Sequence, residues 1–434
     1  MQPVIEQAEA AQQRANAYAR AGDHRAAVDA GADAERLLRT VPAGDENVLT
    51  VLSSALTDLS RHLSRLGEHE RAVTKATEAV EIRRRVFAGD LEVGRLYLNS
   101  VNNLAIALSG CGRHQQALEM TLEAVTAARE LHALGMIDDG LLAFLLHTLC
   151  NRFASLNRSG PAREASSEAV QLFRQAAEQD PERYDPELAM ALRNASEDMW
   201  NDGDQPGALE LCREAVDICR RLAGQSPERY TESLVTSLQK IARQLSELDR
   251  DDEACVFLRE AVTRLEPGDG PLTAQRADDL ARSLLDLGGT YLGCERWADA
   301  AHASERSVTL FRRLAQHGHP QPRDLAGALS NQATAWYALS RPALALPAAL
   351  EAWTIRRTLA DAVRDADAYL QVALAAHNAS VPLAATGRLD DALAAAEASI
   401  VAYGRAGEPV PEHVHANRAS IAGLVHDHRD VSRA

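Results

Sequence analysis

A nine-residue segment recurs along the whole chain at a nearly constant spacing. Its clearest copies read LGEHERAVT (66–74), CGRHQQALE (111–119), DGDQPGALE (202–210) and TGRLDDALA (386–394). The alanine at the seventh position of each copy, with degenerate copies included, marks a series that advances by 45 to 47 residues: Ala27, Ala72, Ala117, Ala162, Ala208, Ala254, Ala300, Ala345 and Ala392. Such a period indicates stacked structural units, each of which buries its apolar face against its neighbours.

The residues around each marker alanine follow the period of an α-helix. Positions 16 and 9 before the alanine are mostly apolar, as in Leu56 and Leu63, and predict a first helix. The position seven after it is small and the next is apolar, as in Ala79 and Val80, which predicts a second amphipathic helix. Aromatic residues make up only 4 % of the chain, so small aliphatic side chains must fill the core, which favours helices packed closely together.

Between the two helices, most repeats place a residue suited to the left-handed conformation that ends a helix. Five copies have glycine there: Gly22, Gly67, Gly112, Gly203 and Gly387. Asn157 also suits this conformation, whereas Asp249, Glu295 and Ser340 fit it less well. Departures from the repeat pattern fall mainly in repeats one, seven and eight, where we expect local irregularity.

The spacing predicts one all-α domain over residues 1–434, a solenoid of about nine helix-turn-helix repeats. We place the repeats at 3–40, 46–88, 92–134, 139–179, 186–224, 230–266, 273–316, 322–361 and 366–405. Proline-rich segments, among them DPERYDP (180–186) and GQSPERYT (224–231), are expected to be loops between repeats. Residues 411–428 are expected to form a helix that caps the end of the stack.

The chain resembles the tetratricopeptide repeat family, in the long-period variant found in bacteria and in kinesin light chains. The likeness rests on LGEHERA (66–72), on the recurrent EAV of the second helix and on NNLA (102–105), and it covers roughly residues 8–405. This resemblance implies a right-handed superhelix whose first helices line a concave groove for an extended peptide or a partner helix.

A polar residue stands 14 positions before the marker alanine in every repeat, among core positions. The series is Gln13, Asp58, Asn103, Thr148, Asn194, Lys240, Asp286, Asn331 and Asn378. These side chains offer donors and acceptors to a bound main chain, so Asn103, Asn194, Lys240, Asn331 and Asn378 are candidate groove residues. The alternative is that they form hydrogen bonds only with adjacent helices or with water.

A basic set on the first helices of repeats four to seven adds a second candidate feature. It consists of Arg152, Arg193, Lys240, Arg243 and Arg282. If these side chains converge, they could hold the carboxylates of an acidic segment or a free carboxyl terminus. Neighbouring carboxylates, such as Glu197 and Asp286, could equally neutralise them.

Motif searches give no support to catalysis or to a bound cofactor. Neither lysine, Lys75 nor Lys240, follows a glycine as a phosphate-binding Walker loop requires, and neither GxSxG nor HExxH occurs. Two HxH pairs, His413 with His415 and His426 with His428, bracket the last helix, but residues two apart on a helix face different ways, so we predict no metal.

Charge and composition bear on partners and location. A formal net charge of −16 disfavours nucleic acid as a general partner. The absence of a CxxC pair, of a signal-like amino terminus and of an apolar run of 18 residues predicts a cytoplasmic protein with reduced cysteines and no membrane association. Only two of 46 basic residues are lysine, which suggests a GC-rich genome such as that of an actinobacterium.

The sequence thus predicts a non-enzymatic scaffold that binds a protein or peptide. The alternative is a signalling regulator: a peptide sensor, or the detached sensing array of an NTPase or transcription-factor system.

Overall fold

The computed structural model describes residues 2–42, 45–86, 91–266 and 272–431, and these residues form nineteen α-helices without a β-strand. The helices are α1 Gln2–Arg20, α2 His24–Leu38, α3 Glu46–Arg65, α4 His69–Val86, α5 Leu91–Gly110, α6 His114–Ala133, α7 Asp139–Ala154, α8 Ser159–Gln179, α9 Pro181–Asn201, α10 Gln205–Gln225, α11 Pro227–Ser246, α12 Asp251–Leu265, α13 Ala274–Gly293, α14 Trp297–Gln316, α15 Pro322–Ala338, α16 Pro342–Val363, α17 Ala366–Ala385, α18 Leu389–Ala406 and α19 Glu412–Val431.

Eighteen of these helices form nine pairs, and each pair is one repeat. The odd-numbered helices α1 to α17 are the first helices, the even-numbered helices α2 to α18 are the second helices, and α19 follows the last pair. Val414, Ile421 and Val425 of α19 are buried, the last two against Leu383 and Ala392 of the ninth pair. The predicted all-α solenoid of helix-turn-helix repeats with a capping helix is therefore confirmed.

Small residues hold the two helices of a repeat close together. Every marker alanine is at most 2 % exposed, and so is the residue seven positions later. Where that later residue is serine, its hydroxyl donates a hydrogen bond to a carbonyl of the first helix: Ser307 to Ala281 (2.7 Å) and Ser399 to Ala373 (2.8 Å). These buried serines thus fill the space of an alanine without leaving a polar group unpaired.

The turn within each repeat has the same backbone conformation in all nine copies. The five glycines have φ between 73° and 88°, and Asn157, Asp249, Glu295 and Ser340 have φ between 55° and 59°. In each copy the next amide donates to a carbonyl five residues earlier, as Arg296 does to Tyr291 (2.8 Å) and Arg341 to Trp336 (2.9 Å). The irregularity expected at Glu295 and Ser340 is therefore wrong: the pairing of the two helices imposes the conformation on residues that disfavour it.

The two PERY segments are helical, and the expectation that they form loops is wrong. Pro181 and Pro227 occupy the first turn of α9 and α11, with Asp180 and Ser226 as the residues before each helix. A proline in the first turn removes no helical hydrogen bond, and its fixed φ suits the helix. Asp180 also caps α9 by accepting a hydrogen bond from the amide of Arg183 (3.2 Å).

The chain divides into two compact units, Met1–Ile218 and Cys219–Ala434, and the division falls within α10. In the first unit α1 contacts α3, α3 contacts α5, α5 contacts α7 and α7 contacts α9. In the second unit α11 contacts α13, α13 contacts α15 and α15 contacts α17. Among the described residues, successive second helices within a unit show no such series of close backbone approaches. First helices therefore lie on the tighter, inner side of each unit.

Ion pairs between long side chains bridge the wider gaps between successive second helices. We call these seven pairs the arginine–glutamate ladder, and each joins position 12 after one marker alanine to position 6 after the next. The pairs are Arg39–Glu78, Arg84–Glu123, Arg129–Glu168, Arg174–Glu214, Arg220–Glu260, Glu266–Arg306 and Arg312–Glu351, with N–O distances of 2.5 to 2.7 Å. In the Glu266–Arg306 pair the two charges are exchanged: position 12 carries the glutamate and position 6 carries the arginine. The ion pair is therefore kept although both residues differ from those of the other six pairs.

Candidate binding face of the first helices

The polar position of the first helices lies on the inner side of each unit, but most of its amides already have partners in the protein. Asn103 is buried and donates to the carbonyl oxygen (2.9 Å) and the side-chain oxygen (3.0 Å) of Asn99. Asn331 donates to the carbonyl of Leu285 on the preceding first helix (3.2 Å). An asparagine amide has two N–H donors and an oxygen with two lone pairs, so these bonds leave part of each amide available.

Asn194 and Asn378 occupy the same position in different surroundings. The Nδ2 of Asn194 lies 3.3 Å from Nε2 of His147, across two adjacent first helices. Burial lowers the pKa of His147, which keeps its ring neutral and able to accept this bond. Asn378 is exposed on α17. Of the four asparagines, Asn378 is the one whose side chain is mostly open to solvent.

The predicted basic set is divided between the two units. In the first unit Arg152 and Arg193 are half-buried, and Nη1 of Arg152 lies 3.5 Å from the Ala105 carbonyl. Burial lowers the pKa of Arg152, and its buried Nε has no hydrogen-bond partner among the described residues. Arg152 is therefore positioned to donate a further hydrogen bond.

In the second unit the basic side chains lie beside carboxylates. Arg282 pairs with Asp278 of its own helix (3.0 Å) and with Asp324 of the next first helix (3.2 Å). Arg243 is exposed and lies 3.9 Å from Glu247, and Lys240 is half-buried on the same helix. Arg282 and Arg243 therefore each lie beside a carboxylate, although these carboxylates are not the ones that the sequence analysis named.

An arginine-lined pocket between α1 and α3 was not found by the sequence analysis. It is an open cavity of about 710 Å³ whose lining residues are Gln13, Asn16, Ala19, Arg20, Arg61, His62 and Arg65. The sequence does contain a signal, because Arg20 and Arg65 occupy the same position in repeats one and two. The pair is confined to two repeats, so the pattern that recurs in all nine repeats does not reveal it.

The cysteines and the terminal histidines were the remaining candidates for a reactive or metal-binding group. All six cysteines are free thiols, and the Sγ atoms of Cys255 and Cys294 lie 3.9 Å apart. His413 packs edge-on against His377, with 5.2 Å between ring centroids. The described residues contain no group of three or more histidine, cysteine, aspartate or glutamate side chains placed to hold a metal ion. They also contain no helix that is both long and apolar enough to cross a membrane.

Paired helices stacked around small buried residues define a helical repeat protein. The sequence profile of the tetratricopeptide repeat matches residues 98–133, which lie in α5 and α6, and residues 188–228, most of which lie in α9 and α10. The two matched stretches are tetratricopeptide repeats, as the resemblance predicted.

Three solved structures align with the chain at low sequence identity. The signal transduction ATPase with numerous domains from Pyrococcus horikoshii, which has a tetratricopeptide repeat sensor, aligns with a TM-score of 0.55 and 11 % identity over 86 % of this chain and 54 % of that one. BtubC from P. vanneervenii aligns at 0.48 and 20 % over 58 % and 94 % of the two chains. A Rap protein complexed with competence and sporulation factor aligns at 0.44 and 16 % over 70 % and 75 %. No curated protein matches the sequence.

Proposed function

We propose that this protein is a non-enzymatic, cytoplasmic scaffold that binds a peptide segment or a partner helix along the inner face of its first helices. The observation that carries the proposal is the polar position on the row of first helices within each unit. A packed core would fill that position with apolar side chains, whereas a face that binds a main chain needs donors and acceptors at regular intervals. The net charge of −16 supports a protein partner over nucleic acid.

The residues proposed to contact the partner combine amides and cations. Asn378 is open to solvent, and Arg152 has a buried Nε without a partner among the described residues. The amides of Asn103, Asn194 and Asn331 are fixed by neighbouring groups, which lowers the conformational entropy that binding would cost. Arg193, Lys240 and Arg243, all on first helices, complete the proposed set.

An affinity pull-down from the source cytosol tests the proposal. The full chain is compared with a variant that carries alanine at Asn103, Asn194, Lys240, Asn331 and Asn378. The matched control carries alanine at five exposed positions of the second helices, Glu119, Thr126, Thr263, Thr309 and Thr354. Circular dichroism verifies that all three proteins have the same helix content.

We expect the first variant to lose one defined protein that the wild type and the control retain. A partner list unchanged by the inner-face variant would contradict the proposal. Turnover of a substrate by the purified protein alone would contradict its non-enzymatic part.

The second candidate function is a sensor within a signalling system. The one observation in its favour is that the Pyrococcus protein of similar fold uses its tetratricopeptide repeats as a sensor. In that case the retained protein is an ATPase or a transcription factor, and a bound peptide changes the small-angle scattering profile of the purified chain. A profile that no captured peptide changes would count against this candidate.

A further inference from the structure

A buried histidine without a hydrogen-bond partner faces the arginine-lined pocket between α1 and α3. His62 is 2 % exposed, and neither of its ring nitrogens has a partner among the described residues. Leaving a buried donor or acceptor unpaired costs about 1–3 kcal/mol, so such a group indicates a missing partner. Burial and the nearby Arg61 lower the pKa of His62, and the neutral ring still has one N–H to donate.

The side chains around His62 give the pocket a positive charge. Arg20, Arg61 and Arg65 all line it, and no acidic side chain does so. Arg61 donates to the carboxylate of Asp58 (2.6 Å) and lies 3.4 Å from Oδ1 of Asn16, so one of the three positive charges is offset. Arg20 and Arg65 are exposed, and no ion pair is recorded for either within the described residues.

The remaining charge of about +2 matches one type of anion. A phosphate monoester carries about −1.5 to −2 at neutral pH and has three acceptor oxygens. A carboxylate carries one negative charge and has two oxygens in a plane, so it would leave part of this pocket unpaired. The guanidinium groups come from two helices, which lets them reach different oxygens of a tetrahedral group.

We propose that the pocket formed by Arg20, Arg61, His62 and Arg65 binds a phosphate group. It lies between two first helices, so the site rests on the proposed function and would hold a phosphorylated side chain of the bound segment. Arg20 and Arg65 supply most of the attraction, Arg61 shares its charge with Asp58, and His62 donates its ring N–H.

Nuclear magnetic resonance of the full chain with ¹³C-labelled histidine tests the site. The His62 ring signal is assigned from its loss in a His62→Gln variant. The protein is then titrated with inorganic phosphate, O-phosphoserine and acetate at constant ionic strength. The test variant is Arg20→Ala/Arg65→Ala, and the control is Arg14→Ala/Arg25→Ala, which removes the same charge from exposed positions outside the pocket.

We expect both phosphates to shift the His62 signal to saturation. The apparent Kd should rise about tenfold or more in the test variant, which corresponds to about 1.4 kcal/mol, and should stay within about twofold in the control. Tighter binding of phosphoserine would assign the site to a phosphorylated side chain, and equal binding would assign it to free phosphate; both support the site.

Three results would overturn the proposal: a shift that does not saturate, an equal loss in both double variants, or an acetate response as strong as that of phosphate. The pull-down variant leaves this pocket intact. If phosphate does not bind but the inner-face variant still loses its partner, only the phosphate site is rejected. If the inner-face variant retains every partner, the proposed function is rejected.

Discussion

Reversing the charge of either residue in one pair of the arginine–glutamate ladder should destabilise the chain locally. Reversing both charges together should restore the stability. The variants are Arg174→Glu, Glu214→Arg and the two together. Arg174 and Glu214 form two hydrogen bonds, Nε to Oε1 at 3.0 Å and Nη2 to Oε2 at 2.5 Å. The hydrogen bond to Glu214 is also the main cause that raises the pKa of Arg174. The exchanged Glu266–Arg306 pair indicates that the ladder accepts either order of charges, with a distance of 2.7 Å.

The expected loss of stability follows from the geometry of the ion pair and the exposure of its two side chains. The side chains of Arg174 and Glu214 are 42 % and 34 % exposed, so solvent screens the pair in part. Exposed pairs contribute about 0.2–1 kcal/mol, and the two-bond geometry places this pair near 1 kcal/mol. Each single change also sets like charges opposite each other, which brings the expected loss to about 1.5 kcal/mol. The double exchange should lie within about 0.5 kcal/mol of the wild type.

Hydrogen–deuterium exchange of α8 and of the part of α10 before residue 219 measures this loss. A repeat protein of this length is not expected to unfold in two states, so a local measurement is more informative than a global midpoint. We expect exchange about tenfold faster in each single variant, near-wild-type exchange in the double variant, and a smaller difference at about 1 M salt, where the Debye length falls to about 3 Å. The reasoning would be refuted if the double variant lost as much local stability as the two single variants together.

Three further predictions concern the turns, the packing and the thiols. Ser340→Gly should stabilise the turn between α15 and α16 by about 0.5–1 kcal/mol, because φ of 59° disfavours residues with a Cβ; hydrogen–deuterium exchange of the two helices should slow, and unchanged exchange would contradict this. Gly140→Ala should cost about 1–3 kcal/mol of local stability, measured as faster hydrogen–deuterium exchange of α7 and α9, because the new Cβ would collide with the Tyr184 ring, whereas Gly160→Ala meets no atom within 4 Å and serves as the control. Burial, with Asp198 adding to it, raises the pKa of the Cys150 thiol to about 12, so iodoacetamide at pH 8 should label it only after unfolding. The stability linked to this thiol is present below its unfolded pKa near 9 and is lost as the pH rises toward 12, and rapid labelling of the folded protein would contradict the burial.

The repeat architecture was determined by local sequence signals. The spacing of small and apolar residues, such as Ala72 and Ala79 in α4, depends only on the helical period, and both residues are fully buried. Glycine at the turn is likewise a local requirement, and Gly67 and Gly112 have the left-handed φ that the sequence predicts. These features operate within one or two helical turns, so they can be identified in the sequence without knowledge of distant contacts.

Only the tertiary structure decided how successive repeats interact. Glu295 takes the conformation of the turn glycines because the packed helices on both sides fix the turn, although its own preference opposes it. The partners of Asn194 and of Arg282 on adjacent first helices, and the placement of His62 against the pocket, depend on inter-helix distances and side-chain rotamers across about 45 residues. The recurrent asparagines could therefore be located in the sequence, but whether their amides were engaged or open depended on neighbours that only packing brings within hydrogen-bond distance.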